Sequence, residues 1–211
     1  DPLIRRDMQG ELLELQRELH KTIVFITHDL LEALVLGDRI AIMKEGRFVQ
    51  VGTAEEIVGN PADDYVAAFT QDIDRSRVFS VDRVLEPAEA VEAGDAGVAD
   101  ALARMDTLGR DALHLVEGGR PVGIVTYRRL SDAARGGEAP ALRDLAEPEM
   151  PEADRGTPLY RLFRRAAQGL PIAVRDQDGT LAGVALPETI FDALDPGQGA
   201  REDEPAAAAA E

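Results

Sequence analysis

Cysteine and tryptophan are absent from this chain, lysine occurs only as Lys21 and Lys44, and aromatic residues make up 4% of it. Without cysteine there is no disulfide framework, no zinc–thiolate site and no thiol nucleophile. No apolar run approaches the roughly 18 residues that a membrane span needs. Lys21 follows His20 and Lys44 follows Met43, so neither can belong to a Gly-x-x-x-x-Gly-Lys-Ser/Thr phosphate loop. Positive charge is scarce overall: 23 basic against 40 acidic side chains leave a formal charge of −17. Such a polyanion lacks the clustered Lys and Arg that phosphate backbones require, which excludes nucleic acid as a partner.

The 211 residues, 45% of them hydrophobic, suit one large domain or two small ones with a core. Asp1-Pro2 places a capping carboxylate before a first-turn proline, and Ile4, Met8, Leu12, Leu15 and Leu19 recur at helical spacing, predicting a helix with one buried face. Thr22-Ile23-Val24-Phe25-Ile26 is a short, β-branched apolar run that predicts a strand covered on both faces in a parallel sheet. Asp29 caps a predicted helix from Leu30 to Leu36, ended by Gly37. Two strands, 39–43 and 48–51, flank the turn Lys44-Glu45-Gly46-Arg47, and Thr53 with Glu56 forms a capping box. Residues 1–75 therefore read as part of an α/β domain whose parallel neighbours are expected upstream of Asp1.

From 76 onward an internal repeat appears. A helix carrying Met105, a strand 112–116, the Gly118-Gly119 turn and a strand 122–126 recur sixty positions later as a helix carrying Phe163, a strand 171–174, the Asp178-Gly179 turn and a strand 182–186. Gly123 and Gly183 fall in register, as do Gly119 and Gly179. The fold class is thus α/β followed by an α+β tandem, with repeats at about 76–137 and 138–196. An acidic, alanine-rich tail at 197–211 is expected to be disordered.

Residues 22–29, Glu32-Ala33-Leu34, Gly37-Asp38-Arg39-Ile40-Ala41-Ile42-Met43, Val49-Gln50-Val51-Gly52-Thr53 and Asn60-Pro61-Ala62-Asp63-Asp64-Tyr65-Val66 resemble the end of an ABC transporter ATPase subunit. More narrowly, they resemble the glycine betaine, proline and choline import branch, in which a pair of CBS motifs follows the ATPase domain. The resemblance implies a partial ABC-type ATPase domain at 1–75 and a tandem CBS domain at 76–196. It matches Asp1 to the D-loop aspartate and His28 to the switch histidine, whose imidazole reaches the γ-phosphate; a strand giving way to a helix is also where open α/β sheets bind ligands. It further implies ATP and Mg²⁺ in the intact subunit, a homodimer with a second copy, a membrane permease partner and an indirect substrate-binding protein. The location implied is cytoplasmic, peripheral on the inner face of a bacterial membrane.

The usual CBS nucleotide site, Gly-Ile-x-Thr-x-x-Asp, is half present. Gly123-Ile124-Val125-Thr126 fits, but Arg129 stands at the ribose-binding Asp position; in the second repeat Leu186 replaces the Thr and Thr189 the Asp. These departures argue against an AMP- or ATP-type site. Arg128 and Arg129 after a strand, with Arg161, Arg164 and Arg165 at i, i+3 and i+4, remain as candidates for a phosphate-rich regulator such as a cyclic dinucleotide, or for anionic lipid. A solvated helix face explains the same residues more simply. Residues 76–211 carry 15 basic and 25 acidic side chains, so sensing of ionic strength through screening is a further reading. The leading expectation is the ATP-hydrolysing subunit of an osmoprotectant importer, inactive as this chain alone; the alternatives are a non-enzymatic nucleotide-sensing module and a purely structural dimerisation domain.

Overall fold

Side-chain caps set the local structure of the first unit, Asp1–Val78. The computed structural model describes residues 2–94, 97–136 and 140–195, with the backbone alone for Pro2, Leu3, Arg5 and Arg6. Helix α1 spans Pro2–Leu19 and helix α2 spans Leu30–Leu36, where the Asp29 carboxylate accepts from Leu31 N and Glu32 N. Strands β1 (Ile40–Lys44) and β2 (Arg47–Gly52) form an antiparallel hairpin. Its turn residues Glu45 and Gly46 both have positive φ, 51° and 75°, the geometry that matches the strand twist. Helix α3 (Ala54–Gly59) starts in the capping box of Thr53 and Glu56; Asp63 caps α4 (Asp64–Thr70), and α5 (Arg75–Val78) follows. Ile40, Ile42, Ile57 and Val66 form the buried core of this unit.

Two expectations fail here for one reason. Residues 22–26 belong to no strand; Val24 is 86% and Ile26 91% exposed. On α1, Leu12 is half-buried, whereas Ile4, Met8, Leu15 and Leu19 are exposed. A strand with two apolar faces requires neighbours on both edges and helices on both sides. No described strand pairs with it, so neither it nor the helix has a sheet to pack on. An apolar surface of this kind is sticky. The chain on its own is expected to bind a hydrophobic dye and to associate with rising concentration, and Val24→Lys with Ile26→Lys should abolish both; sedimentation across a concentration series checks this.

The second unit, Phe79–Glu211, contains the repeat. Strands β3 (Leu85–Glu86) and β4 (Ala90–Glu92) precede helix α6 (Val98–Leu108), hairpin β5 (Ala112–Glu117) with β6 (Arg120–Thr126), helix α7 (Tyr127–Arg135) and helix α8 (Leu142–Leu145). The second repeat has β7 (Glu152–Asp154), a 3-10 turn at Leu159–Arg161, α9 (Phe163–Ala166), hairpin β8 (Ile172–Arg175) with β9 (Leu181–Ala185), and α10 (Pro187–Asp192). In each repeat a short strand pairs parallel to the first hairpin strand across the intervening helix, β4 on β5 and β7 on β8. The sheets have the orders β4-β5-β6 and β3-β9-β8-β7.

The repeats exchange their edges. β3, which leads into the first repeat, pairs with β9 of the second. Glu147, which leads into the second, makes a reciprocal backbone bridge to Ile124 of β6, at 3.0 and 2.8 Å. The hairpin turns also touch: Leu181 N donates to Gly119 O at 2.8 Å, and Arg120 Nη2 donates to Asp178 O at 2.8 Å. This explains the glycines found in register. A Cβ on Gly183 would stand 2.5 Å from Glu86 O, and one on Gly123 would stand 3.0 Å from the Ala146 Cβ and 3.2 Å from Glu147 O. Both positions lie where a crossing segment presses on a hairpin strand.

Candidate functional site

The segment around His28 is organised by its neighbours. The Thr27 hydroxyl accepts from Asp29 N at 3.0 Å and donates to Glu32 at 2.7 Å, while Asp29 Oδ1 caps α2. Thr27 and Asp29 are thus committed to the start of the helix, and His28 between them is exposed, with no hydrogen bond or ion pair to any described residue. The buried strand expected before it is not formed, so the strand-to-helix setting is present in sequence order only. Asp1 lies outside the described residues. Chemically, an exposed imidazole beside a capped helix start can reach a ligand, but the sequence supplies no phosphate loop to hold one. No group of three or more His, Cys, Asp or Glu suited to a metal occurs among the described residues.

In the second unit Thr126 ends β6 and begins α7 without making a capping bond. Arg128 is exposed and has no ion pair among the described residues. Arg129 pairs with Glu147 at 2.9 Å, on the edge exchanged between the repeats. The related contact on the other side is Arg110, 2.6 Å from Glu86 of β3 and 3.7 Å from Glu188 of α10. Leu186 is buried, and the Thr189 hydroxyl donates to its carbonyl at 3.0 Å. The positions that would take a ribose are thus an ion-paired arginine in one repeat and an internally bonded threonine in the other. With both partners nearly half exposed, the Arg129–Glu147 coupling should be no more than about 1 kcal/mol and should fade with salt; a double-mutant cycle at two salt concentrations measures it.

The arginines Arg161, Arg164 and Arg165 do not share a helical face. Arg161 closes the 3-10 turn and stacks beside Tyr160, whose hydroxyl accepts from its Nε at 3.1 Å, while Arg164 and Arg165 belong to α9. The break follows from burial: Leu159 and Leu162 are both fully buried at a spacing of three, which a 3-10 turn aligns, and Ala166 is then buried four residues on. Among the described residues no hydrogen bond or ion pair joins this group to Arg128 or Arg129. A cleft of about 430 Å³ lies elsewhere, lined by Asp154, Arg155, Arg175, Asp176 and Gln177. Its arginines are already paired, Arg155 with Asp82 at 2.8 Å and Arg175 with Asp154 at 3.0 Å.

Sequence reasoning missed His114. It sits inside the apolar run of β5, 2% exposed, hydrogen-bonded to the Pro171 carbonyl, with Nε2 buried and unpartnered. Burial pushes its pKa down from 6.5 to about 4, and the Pro171 bond opposes this only in part. A depressed pKa in the folded state means that the unfolded chain takes up the proton first as pH falls. Stability is therefore intact above pH 6.5 and drains away down to about pH 4, by roughly 3 kcal/mol in all. Comparing pH titrations of stability for the parent and His114→Leu should isolate this loss, since the variant lacks the titrating group.

The chain is similar to three curated transport proteins in particular. It is 40% identical over 196 residues to the glycine betaine transport ATP-binding protein OpuAA of Bacillus subtilis, covering 92% of this chain and 46% of that protein. It is 38% identical over 203 residues to the glycine betaine/proline betaine transport system ATP-binding protein ProV of Salmonella typhimurium, covering 92% of this chain and 50% of that protein. A 78-residue stretch, 37% of this chain and 23% of the relative, is 63% identical to the trimethylamine N-oxide transport system ATP-binding protein TmoW of Ruegeria pomeroyi. The chain thus spans about half the length of the curated relatives it matches along most of its own length. Among solved structures, Staphylococcus aureus OpuCA is 19% identical with a TM-score of 0.46, covering 52% of this chain and 94% of that one. The CBS-pair protein CBSX2 of Arabidopsis thaliana is 19% identical with a TM-score of 0.49, covering 55% and 93%. No protein-family model matches the chain.

Proposed function

We propose, from the premise that this chain is a homologue of glycine betaine transport ATP-binding proteins over about half their length, that it is part of the ATPase subunit of a quaternary-amine osmoprotectant importer. The observation that carries the proposal is the 40% identity to OpuAA over 92% of the chain. Residues 1–75 would then complete an ATP-hydrolysing domain, and 76–196 would be a CBS pair that regulates it. The exposed apolar segment 22–26 and the exposed face of α1 are what such a domain would bury once its remaining strands are supplied. His28, carried at the end of that segment, would act on the γ-phosphate through position and charge. In the intact subunit Asp1 would couple the two ATP sites of a homodimer, Mg²⁺ would accompany ATP, and the subunit would sit beneath a permease at the inner face of the membrane.

For regulation, the ion-paired Arg129 and the self-bonded Thr189 favour an ionic-strength response or a phosphate-rich ligand over an adenine nucleotide held by its ribose. The assay for this chain is ATP hydrolysis. Turnover is expected at background, because the chain contains no phosphate loop; turnover that survives repurification and responds to His28→Ala would overturn the reading. Titration with AMP, ATP and a cyclic dinucleotide separates the regulatory choices. Saturable AMP binding in the micromolar range would refute the argument from the ribose positions.

A further inference from the structure

Two helices of the first unit carry a glutamate at the third position after the cap residue, and the two glutamates are used differently. At α3, Glu56 reaches back to the Thr53 backbone N–H at 2.8 Å and completes a capping box. At α2, Glu32 stands at the same distance from its cap residue Asp29, but it reaches past Asp29 and accepts from the Thr27 hydroxyl at 2.7 Å. That hydroxyl in turn accepts from Asp29 N at 3.0 Å, a side-chain turn whose middle residue is His28.

The Asp29 carboxylate, accepting from Leu31 N and Glu32 N at 3.0 and 3.4 Å, already caps the helix. The Thr27–Glu32 bond lies outside that cap and closes a ring through residues 27 to 32, with His28 inside it. A hydroxyl has one proton. With that proton given to a carboxylate, in a charge-assisted bond, the lone pairs of Thr27 Oγ1 are turned to Asp29 N, and the backbone on both sides of His28 is held. Without Glu32 the hydroxyl rotates and the turn loses its directed acceptor. The His28 side chain is exposed and has no hydrogen bond or ion pair to a described residue, so this backbone is what aims it.

We propose that Glu32 is a positioning residue for His28 and acts on it through the Thr27 hydroxyl. The proposal rests on the reading of His28 given above, as the group that acts on the γ-phosphate. An imidazole that works through position and charge loses effect steeply when its direction drifts, since a misplacement of about 1 Å costs up to about 100-fold in rate. Glu32 touches neither nucleotide nor reacting atoms in this account; it keeps the turn that carries His28 in one shape.

Two measurements test it. In the full chain, amide hydrogen exchange reads the turn directly: at Asp29 it is expected to be at least about fivefold faster in Glu32→Ala and in Thr27→Val than in the parent, with Val66, held by the cap of α4, unchanged. Equal protection at Asp29 would overturn the proposal. In a hybrid subunit, with this chain replacing the matching half of an OpuAA-type relative, both variants should lower kcat for ATP about 10-fold and move KM by less than about threefold. Glu32→Gln and Thr27→Ser, which keep an acceptor and a hydroxyl, should retain at least about half of the parental kcat. In a His28→Ala background Glu32→Ala should cause no further loss, because a group that acts through His28 has nothing left to act on. A loss that persists in that background, or that comes with a matching rise in KM, would assign Glu32 to folding and overturn the proposal. If His28→Ala lowers kcat and Glu32→Ala does not, this proposal alone fails; if His28→Ala has no effect, the reading of His28 fails and the proposal falls with it.

Discussion

Replacing Gly183 by valine is expected to destabilise the second unit by about 3 kcal/mol, lowering its melting temperature by roughly 10 °C. The expectation rests on the edge exchange. A Cβ at this position would lie 2.5 Å from the Glu86 carbonyl oxygen and 2.5 Å from Leu85 Cδ1, where β3 of the first repeat lies along β9 of the second. One obstacle is backbone, so no rotamer change relieves it, and the strand must move or leave. If β3 leaves, the bonds in the Leu85↔Ala185 and Glu86↔Val184 register are lost with it, and Arg110 loses Glu86. Gly123→Ala is the graded companion. Its Cβ would meet the Ala146 side chain at 3.0 Å and Glu147 O at 3.2 Å, contacts that a few tenths of an ångström relieve, so a loss of about 1 kcal/mol is expected. Thermal unfolding of both variants checks the ranking; equal and small effects would mean that the exchanged edges contribute little.

His28→Ala carries the largest expected effect. In a hybrid subunit, with this chain replacing the matching half of an OpuAA-type relative, the substitution should lower ATP hydrolysis about 100-fold, the scale for removing one preorganised group from a developing charge. ATP affinity should change by less than about threefold, because the phosphate loop that holds the nucleotide comes from the other half. The local structure makes this a clean test. His28 is exposed and has no described partner, while Thr27 and Asp29 carry the helix cap, so the substitution should leave α2 intact. A matching loss of hydrolysis and of affinity would instead indicate that His28 acts through folding or binding.

Local chemistry was legible in the sequence where one segment decides its own structure. The caps of Asp29 and of Thr53 with Glu56, the turn at Glu45-Gly46 and both hairpins of the repeat lie where their residues place them. The paired glycines were visible as a register, but their reason was not, since two-residue edges such as Leu85–Glu86 have no periodicity to read. Residues 22–26 read as a strand but form none, because a strand needs a pairing partner and no described strand pairs with them. Arg161 was grouped with Arg164 and Arg165 by counting along a helix that burial of Leu159 and Leu162 converts into a tighter turn. His114 escaped notice because one polar residue in an apolar run gives no sign of whether it faces solvent or core.

The central proposal is that this chain supplies the distal half of a transport ATPase. Its most direct measurement is uptake of labelled glycine betaine by cells whose own OpuAA-type subunit is replaced by the hybrid, with hybrid abundance measured alongside. The expected result is uptake restored to at least a tenth of the parental rate and abolished by His28→Ala at unchanged abundance. A hybrid that accumulates and joins its permease, yet gives no uptake, or gives uptake indifferent to His28, would contradict the account.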